Sequence, residues 1–527
     1  MLKFWRNPEF VRHVRAELRP TRVVSVAIVV LFLCALIGLA CWSERQSILA
    51  HAENSAQQFD GKWTAYVETL LQQNGQQTWL LLCKWLFGLQ CGLVTFWSLF
   101  ACALSVSSER DRKTWDFQRT TSLRPAEILI GKLLGEPVLA YFGMLCVLPV
   151  TLIAGLLGGL SFWSVVAAYA SIVAGALFLG LGGLCLSTLI ETRSRGVGMI
   201  GALGLYGFTM GAYGFATSWF PGLAAFSPVT GLHTVLRLDF DGRGNLVPPL
   251  FGHSVPWIAL TLLLDGSFGA WLALMLVRNL KRDYSEIRPL SRWQAVGCAA
   301  FLNFVFYALL KFGPNTGSGT DSRLLSTFMV SVNGAILFAM GLATLTPHER
   351  LKVWWRQRSV GTTSLFSEDG LPWPWLALSA VVAYALMVWG LLAWRLSMDF
   401  HTRTLGTAAV QLLVVLVFIT RDILFIQWCT LTRMRQPVLK GFFFLCLYYG
   451  AAAVVSAIAG ISGETSGITT LSILTPVGVF DPRVEWLHFS AGVYEGLALQ
   501  AGLIAVIVVG IGNRLGRVGM VAAASGD

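Results

Sequence analysis

Apolar positions fall along this chain in long runs separated by short polar and charged segments. Roughly twelve of these runs, at about twenty residues each, are long enough to cross a bilayer as helices. They begin near Val23, Thr78, Leu134, Phe162, Gly196, Val255, Trp293, Leu324, Leu371, Leu405, Val438 and Leu487. The runs Thr78 to Ser107 and Leu405 to Leu431 exceed a minimal span, which predicts tilted helices or helices that project from the membrane. The fold class this pattern predicts is all-α, a polytopic membrane protein of about twelve transmembrane helices.

Composition agrees. With 527 residues, 13% charged residues and twenty tryptophans, and a mean hydropathy of +0.64, the chain is too apolar for a soluble domain. Its net charge of +11 raises the question of nucleic acid, but the distribution decides against it. With the N-terminus in the cytoplasm, most Lys and Arg fall in cytoplasmic segments, the positive-inside pattern, and the C-terminus is then cytoplasmic too. The expected place is a bacterial cytoplasmic (inner) membrane. All ten cysteines lie in or at the edge of apolar runs with no CxxC pair, so neither a disulfide framework nor a zinc site is indicated.

The sequence also echoes itself. "AELRPTR" at Ala16 returns as "SEIRPLSR" at Ser285, Glu109-Arg110 as Glu349-Arg350, and "TRSR" at Thr192 as "TRMR" at Thr432. "LYG" ending at Gly207 returns as "YYG" ending at Gly450, and "SPVTG" at Ser227 as "TPVGV" at Thr475. The common order predicts a tandem duplication, with six-helix halves over residues 1–280 and 281–527. The first external segment, Ser43 to Gln77, is expected as a long loop where the second half has a short one, Gly313 to Arg323. Halves of six spans enter the membrane in the same direction, and parallel repeats meet at a central seam where substrate paths are found. The glycines from Gly196 to Gly214 predict close helix packing in the fifth span.

Two cytoplasmic stretches stand out. Residues 7–19 predict an amphipathic interfacial helix: Asn7 caps it, Pro8 fits the first turn, Glu9 suits the positive end of the dipole and Pro20 stops it. Residues 107–132 follow a span without a break, alternate in sign through Glu109, Arg110, Asp111, Arg112, Lys113 and Asp116, and carry Trp115 and Phe117. Aromatics that anchor beside charges that set register suit docking against a protein.

This stretch resembles the membrane subunits of type 2 ABC exporters, whose element after the second span reads E-R-x-x-G-T-x-E, then T-P-L-S-x-x-E-I, then G-K. Matching positions here are Glu109, Arg110, Thr114, Asp116, Thr121, Leu123, Pro125, Glu127, Ile128, Gly131 and Lys132, with Lys113 standing where the family has glycine. A second copy over 346–370 keeps Glu349, Arg350 and Lys352 and loses the rest. The resemblance implies a permease whose coupling helices sit in grooves of a dimer of ABC ATP-binding subunits. Implied coupling residues are Glu109, Arg110, Asp111, Arg112, Thr114, Trp115, Asp116, Arg124 and Glu127, with Glu349, Arg350, Lys352 and Trp354 in the second copy. The chain has no G-x-x-x-x-G-K-[ST] loop, so ATP and magnesium are expected on the partner, with no cofactor and no catalysis on this chain.

The cargo expected of such an exporter is a lipid, hydrophobic peptide, drug-like compound or glycan, and accessory membrane or periplasmic subunits stay open. Two other classes remain: an ion-coupled secondary transporter using Arg421 and Asp422, and a membrane-embedded enzyme. Gly204, Gly207, Gly211, Arg421 and Asp422 are the candidates for a path or gate, and Lys84 and Asp265 also place charge within spans, where it is costly. "DFDGRGN" at Asp239 lacks the closing ligands of a calcium loop, and His348-Glu349 lacks the second histidine of a zinc protease motif.

Overall fold

The computed structural model describes residues 7–57, 64–189, 195–217, 221–236, 249–250, 253–282, 288, 290–310, 322–392, 398–432, 437–461, 473–476 and 491–524. Among these the chain is helical nearly throughout, apart from a two-residue antiparallel pairing of Pro249–Leu250 with His253–Ser254. Nine helices among the described residues are long and apolar enough to cross a membrane, and a tenth span results if one sharply bent helix pair is counted. The protein is therefore an all-α, multi-pass membrane protein.

Contacts divide the chain into two compact units, Met1–Ile287 with Phe312–Pro314, and Arg288–Lys311 with Asn315–Asp527. The first holds α1 (Pro8–Glu17), α2 (Pro20–Gln57), α3 (Thr64–Asp111), α4 (Trp115–Thr120), α5 (Pro125–Gly135), α6 (Val138–Leu157), α7 (Phe162–Leu189), α8 (Arg195–Gly211), α9 (Pro228–Val235) and α10 (Trp257–Asn279). The second holds α11 (Arg292–Leu310), α12 (Ser322–Ala343), α13 (His348–Ser359), α14 (Trp373–Leu392), α15 (Met398–Thr430), α16 (Pro437–Ile461) and α17 (Ala491–Ala524).

Each of the twelve expected spans meets a helix, but three differ from a simple crossing. Helix α8 has 17 residues and passes into a 3-10 segment, Ala212–Thr217. Helix α11 carries Arg292, Gln294 and Asn303 within its 19 residues, and these polar groups offset its apolar ones. Helix α12 meets α13 at an 88° bend, where Pro347 lacks the amide a continuing helix needs. The segment Ser43 to Gln77 is largely helix rather than loop: α2 runs on to Gln57 and α3 begins at Thr64. At 48 residues, α3 is about 72 Å long, over twice the hydrocarbon thickness of a bilayer.

In the first unit α3 and α7 form the centre, where Phe87, Cys91 and Val94 meet Ala168, Ile172 and Ala176. At one end of these helices Val106, Trp115, Ile128, Leu184, Leu276 and Leu280 form a second cluster that joins α3, α4, α5, α7 and α10. The glycine run of α8 does not pack as expected. Gly204, Gly207 and Gly211 are exposed with nothing within 4 Å of a methyl placed on them, while Ala202 and Thr209 on the other side are buried. In the second unit, Leu351 and Trp354 of α13 pack on Leu424 of α15, on Leu431 just past its end, and on Ile511 and Leu515 of α17. Thr192 and the Asp239 turn lie outside the described residues.

Candidate functional site

The charged stretch after α3 is built from a cap, a short helix and a return. The Thr114 amide donates to Glu109 O and the Lys113 amide to Arg110 O, both at 3.0 Å, with Lys113 left-handed at φ 57°. This is the Schellman arrangement, in which two end carbonyls are satisfied by a left-handed residue just past the helix. Left-handed backbone brings Cβ against the following carbonyl, so glycine is the residue of least cost there. Helix α4 then runs for six residues, and α5 begins with Pro125 at its first turn and Glu127 accepting from the Arg124 amide at 2.8 Å.

Beneath this turn lies a buried charge network. Lys132 of α5, with 0% of its side chain exposed, sits 2.5 Å from Glu109 Oε2 and 3.5 Å from Glu9 Oε1, and donates to Ser105 Oγ at 3.2 Å. Glu109 Oε1 accepts from Arg12 Nη2 at 2.6 Å and from Gln118 Nε2 at 2.9 Å. Glu9 Oε1 in turn takes Arg12 Nη2 at 2.7 Å and the His13 ring at 3.2 Å. Burial alone would raise the Glu9 carboxyl, but the His13 hydrogen bond and the charges of Lys132, Arg12 and His13 outweigh it and bring the pKa down to about 2.

Helix α1 therefore does more than lie in an interface. Asn7 caps it, accepting from the Glu9 and Phe10 amides, and also donates to Glu127 O at 2.7 Å, which ties the cap to α5. Its buried residue is Glu9, turned toward α5, rather than Phe10, Val11 or Val14. The close approach needs Gly131 and Gly135: methyls there would stand 2.7 Å from Glu9 Cβ and 2.8 Å from His13 Cβ.

This geometry sorts the expected coupling residues. Glu109 and Trp115 are buried, so they hold the element in place and offer no surface to a partner. Arg110 reaches Thr188 O of α7 at 3.1 Å, and Glu127 closes the start of α5. What faces outward is Asp111, Arg112, Lys113, Thr114, Asp116, Phe117 and Arg124, with Phe117 75% exposed. Lys281 at the end of α10 donates to Thr121 O at 2.9 Å, which ties this surface to the last span of the unit. Sequence reasoning missed Asn7, Glu9, Arg12, His13 and Gln118 as parts of this site. It noted Lys132 only as a motif match, although a lysine following glycine inside an apolar run was a signal.

The second copy is built differently. Glu109 ends a span helix, whereas Glu349 lies in the first turn of the separate helix α13, 81% exposed and paired with Lys352 at 3.2 Å. Arg350 stands 4.0 Å from Asp369, and Trp354 is buried, donating to Ser364 O at 3.4 Å. Arg292 ties the break before α13 to the segment that follows it: it donates to Thr344 O at 3.3 Å and Thr346 Oγ1 at 2.7 Å before the helix, and to Gly370 O at 2.5 Å and Leu371 O at 2.7 Å after it. Gln427 of α15 adds a two-way pairing with the Thr346 backbone at 2.8 and 2.9 Å. Neither residue was singled out in the sequence.

The charges within spans have different environments. Arg421 is held by its neighbour Asp422 at 2.5 and 2.8 Å, by Gln500 at 2.5 Å, and by Tyr448 and Tyr449 at 3.1 and 2.9 Å. Its guanidinium also lies 4.7 Å from the Tyr448 ring centre. Arg421 and Asp422 are each only 4% exposed. The pair is thus closed, and tyrosine and glutamine side chains of α16 and α17 complete its surroundings. Lys84 lines a cleft of about 370 Å³ with Cys41, Glu44 and Arg45. Glu9, His13 and Glu109 bring three ligand atoms within 4.8 Å of one another, but Arg12 and Lys132 already neutralise both carboxylates, so the set is an ion-pair network rather than a metal centre.

Residues 3–237 match the family model for the ABC-2 type transporter. The matched part, less than half of the chain, spans α1 to α9 with the whole charge network and is similar to that family of transport permease domains. No curated protein and no solved structure matches the chain.

Proposed function

We propose that this chain, with its ABC-2 type membrane domain over residues 3–237, is the permease of an ATP-driven exporter in a bacterial inner membrane. Its termini lie on the cytoplasmic side, where separate ATP-binding subunits bind ATP and magnesium. The observation that carries this reading is the contrast within one short element. Glu109, Lys132 and Trp115 fix it from beneath, while Asp111, Arg112, Asp116 and Phe117 are exposed above. A mobile charged loop would absorb a push; a turn bolted to α1, α3, α5 and α10 passes it on to the spans. Phe117 serves as the apolar anchor and the surrounding charges of both signs select the partner.

The two copies divide the work. The first turn couples strongly, and α13, whose Glu349 lacks any buried partner among the described residues, gives a weaker contact. The cargo is a lipid, hydrophobic peptide, drug-like molecule or glycan. The Arg421–Asp422 pair is closed on itself and on Gln500, Tyr448 and Tyr449, which counts against this pair as the carrier of a driving ion.

The test is ATP-dependent cargo movement in inverted vesicles holding this chain and an ATP-binding subunit. Transport should require ATP hydrolysis and survive collapse of ion gradients. Gradient-driven transport without ATP overturns the reading.

A further inference from the structure

Asp265 lies in the middle of α10 and is 3% exposed, and neither of its carboxyl oxygens has a hydrogen-bond partner among the described residues. One turn earlier the buried hydroxyl of Thr261 is also unpartnered, and so is that of Ser227, just before α9. The segment from Phe226 to Gly231 runs antiparallel along this turn of α10. The Phe226 ring meets Phe268 at 5.1 Å, and a methyl on Gly231 would lie 3.8 Å from Thr261 Cβ. Ser171 of α7 holds the segment from behind, donating to Pro228 O at 3.2 Å.

A carboxylate in an apolar span without a counter-charge is costly and is found neutralised or functional. The contrast with Asp422, which is met by Arg421 and Tyr449, is direct. The titratable groups on elements packed near α10 do not supply a partner. Cys91 of α3 lies within electrostatic reach without bonding to Asp265. His233 of α9 meets Tyr213 at 2.6 Å, Tyr169 of α7 meets Gln90, Cys185 of α7 meets Leu272 O, and Lys132 of α5 meets Glu109. A metal cation would need several convergent oxygen ligands, whereas a proton needs only the carboxyl itself.

We propose that Asp265 is a proton-binding site, protonated while segment 226–231 covers α10 and releasing its proton to water when that segment lifts. The protonated acid lets the cover close over an uncharged group, and the ionised acid favours the open, wetted arrangement. The acid thereby links ionisation to opening of the first unit. This proposal does not rest on the ATP-driven reading, because its test needs no ATP-binding subunit.

Full-length protein in phospholipid vesicles is treated with dicyclohexylcarbodiimide, which enters apolar phases and adds to protonated carboxyls, and the adduct is located by peptide mass spectrometry. The expected adduct lies on Asp265, is absent in Asp265→Asn, and falls in yield about tenfold per pH unit above its midpoint. It is unchanged when sodium replaces choline in the buffer. No adduct between about pH 5 and about pH 9, or a yield independent of pH, overturns the proposal; protection by sodium replaces the proton with a metal cation. The adduct is read in the unaltered protein, so the test stands even where Asp265→Asn folds poorly.

Discussion

Replacing Glu109 by Gln keeps the shape of the side chain and its oxygen for Arg12 and Gln118, and turns the oxygen that accepts from Lys132 into an amide NH2, so both the charge and the acceptor that face Lys132 are lost. Lys132 is then left with Glu9 at 3.5 Å and Ser105 at 3.2 Å. Removing one partner of a buried pair costs about 3–5 kcal/mol, because the other charge stays desolvated. The remaining carboxylate relieves part of this, so the expected loss for Glu109→Gln is about 3 kcal/mol, at the low end of that range. Lys132→Met in the same background removes the stranded charge and should recover about 2 kcal/mol. Equilibrium unfolding of the purified protein in detergent, for the wild type, both single variants and the double variant, gives the coupling energy directly. A single variant within about 0.5 kcal/mol of wild type, or a double variant equal to the sum of the singles, would refute the claim that this pair bolts the turn in place.

Lys113→Gly should stabilise the turn by about 0.5–1 kcal/mol by relieving left-handed backbone, and Lys113→Val should destabilise it; thermal melting reads both. Gly131→Ala should cost about 1–3 kcal/mol by pressing on Glu9, visible as faster hydrogen exchange in α1. For Glu9 the sign follows from a folded pKa lowered to about 2 from 4.5. Its contribution is full above the unfolded value and fades as pH falls from there toward about 2, so protection factors in α1, the exchange rates corrected for the intrinsic pH dependence of amide exchange, should fall in that window and stay flat above it.

The hydropathy of the chain made most spans legible: among the described residues nine of the expected runs meet helices long and apolar enough to cross a membrane, whereas α8 and α11 do not pass as spans. The caps of α1 were legible from Asn7 and Pro8 because they act within one turn. The charged element after α3 was legible because its residues are local, from Glu109 to Lys132. What stayed hidden depends on distant partners: nothing near Glu9 announces that it will meet Lys132, and the two belong to different helices. The burial of Glu109 and Trp115 stayed hidden for the same reason, since charge and aromaticity signal a contact without saying whether it lies inside or outside. Helix through residues 43–57 and from Thr64 onward escaped notice because polar helices carry no apolar stripe. The echo at Glu349 was real in sequence, yet Pro347 converts it into a separate helix with different neighbours.

The central claim is that the outward face of α4 and the preceding turn receives an ATP-binding subunit. It is tested most directly by co-purifying that subunit with the full chain, and with the triple variant Arg112→Glu, Asp116→Arg, Phe117→Ala, whose residues are all exposed. The account predicts that the variant melts like the wild type and retains less than about a tenth of the bound subunit, a loss of about 1.4 kcal/mol or more. A variant that binds the subunit as fully as the wild type contradicts it.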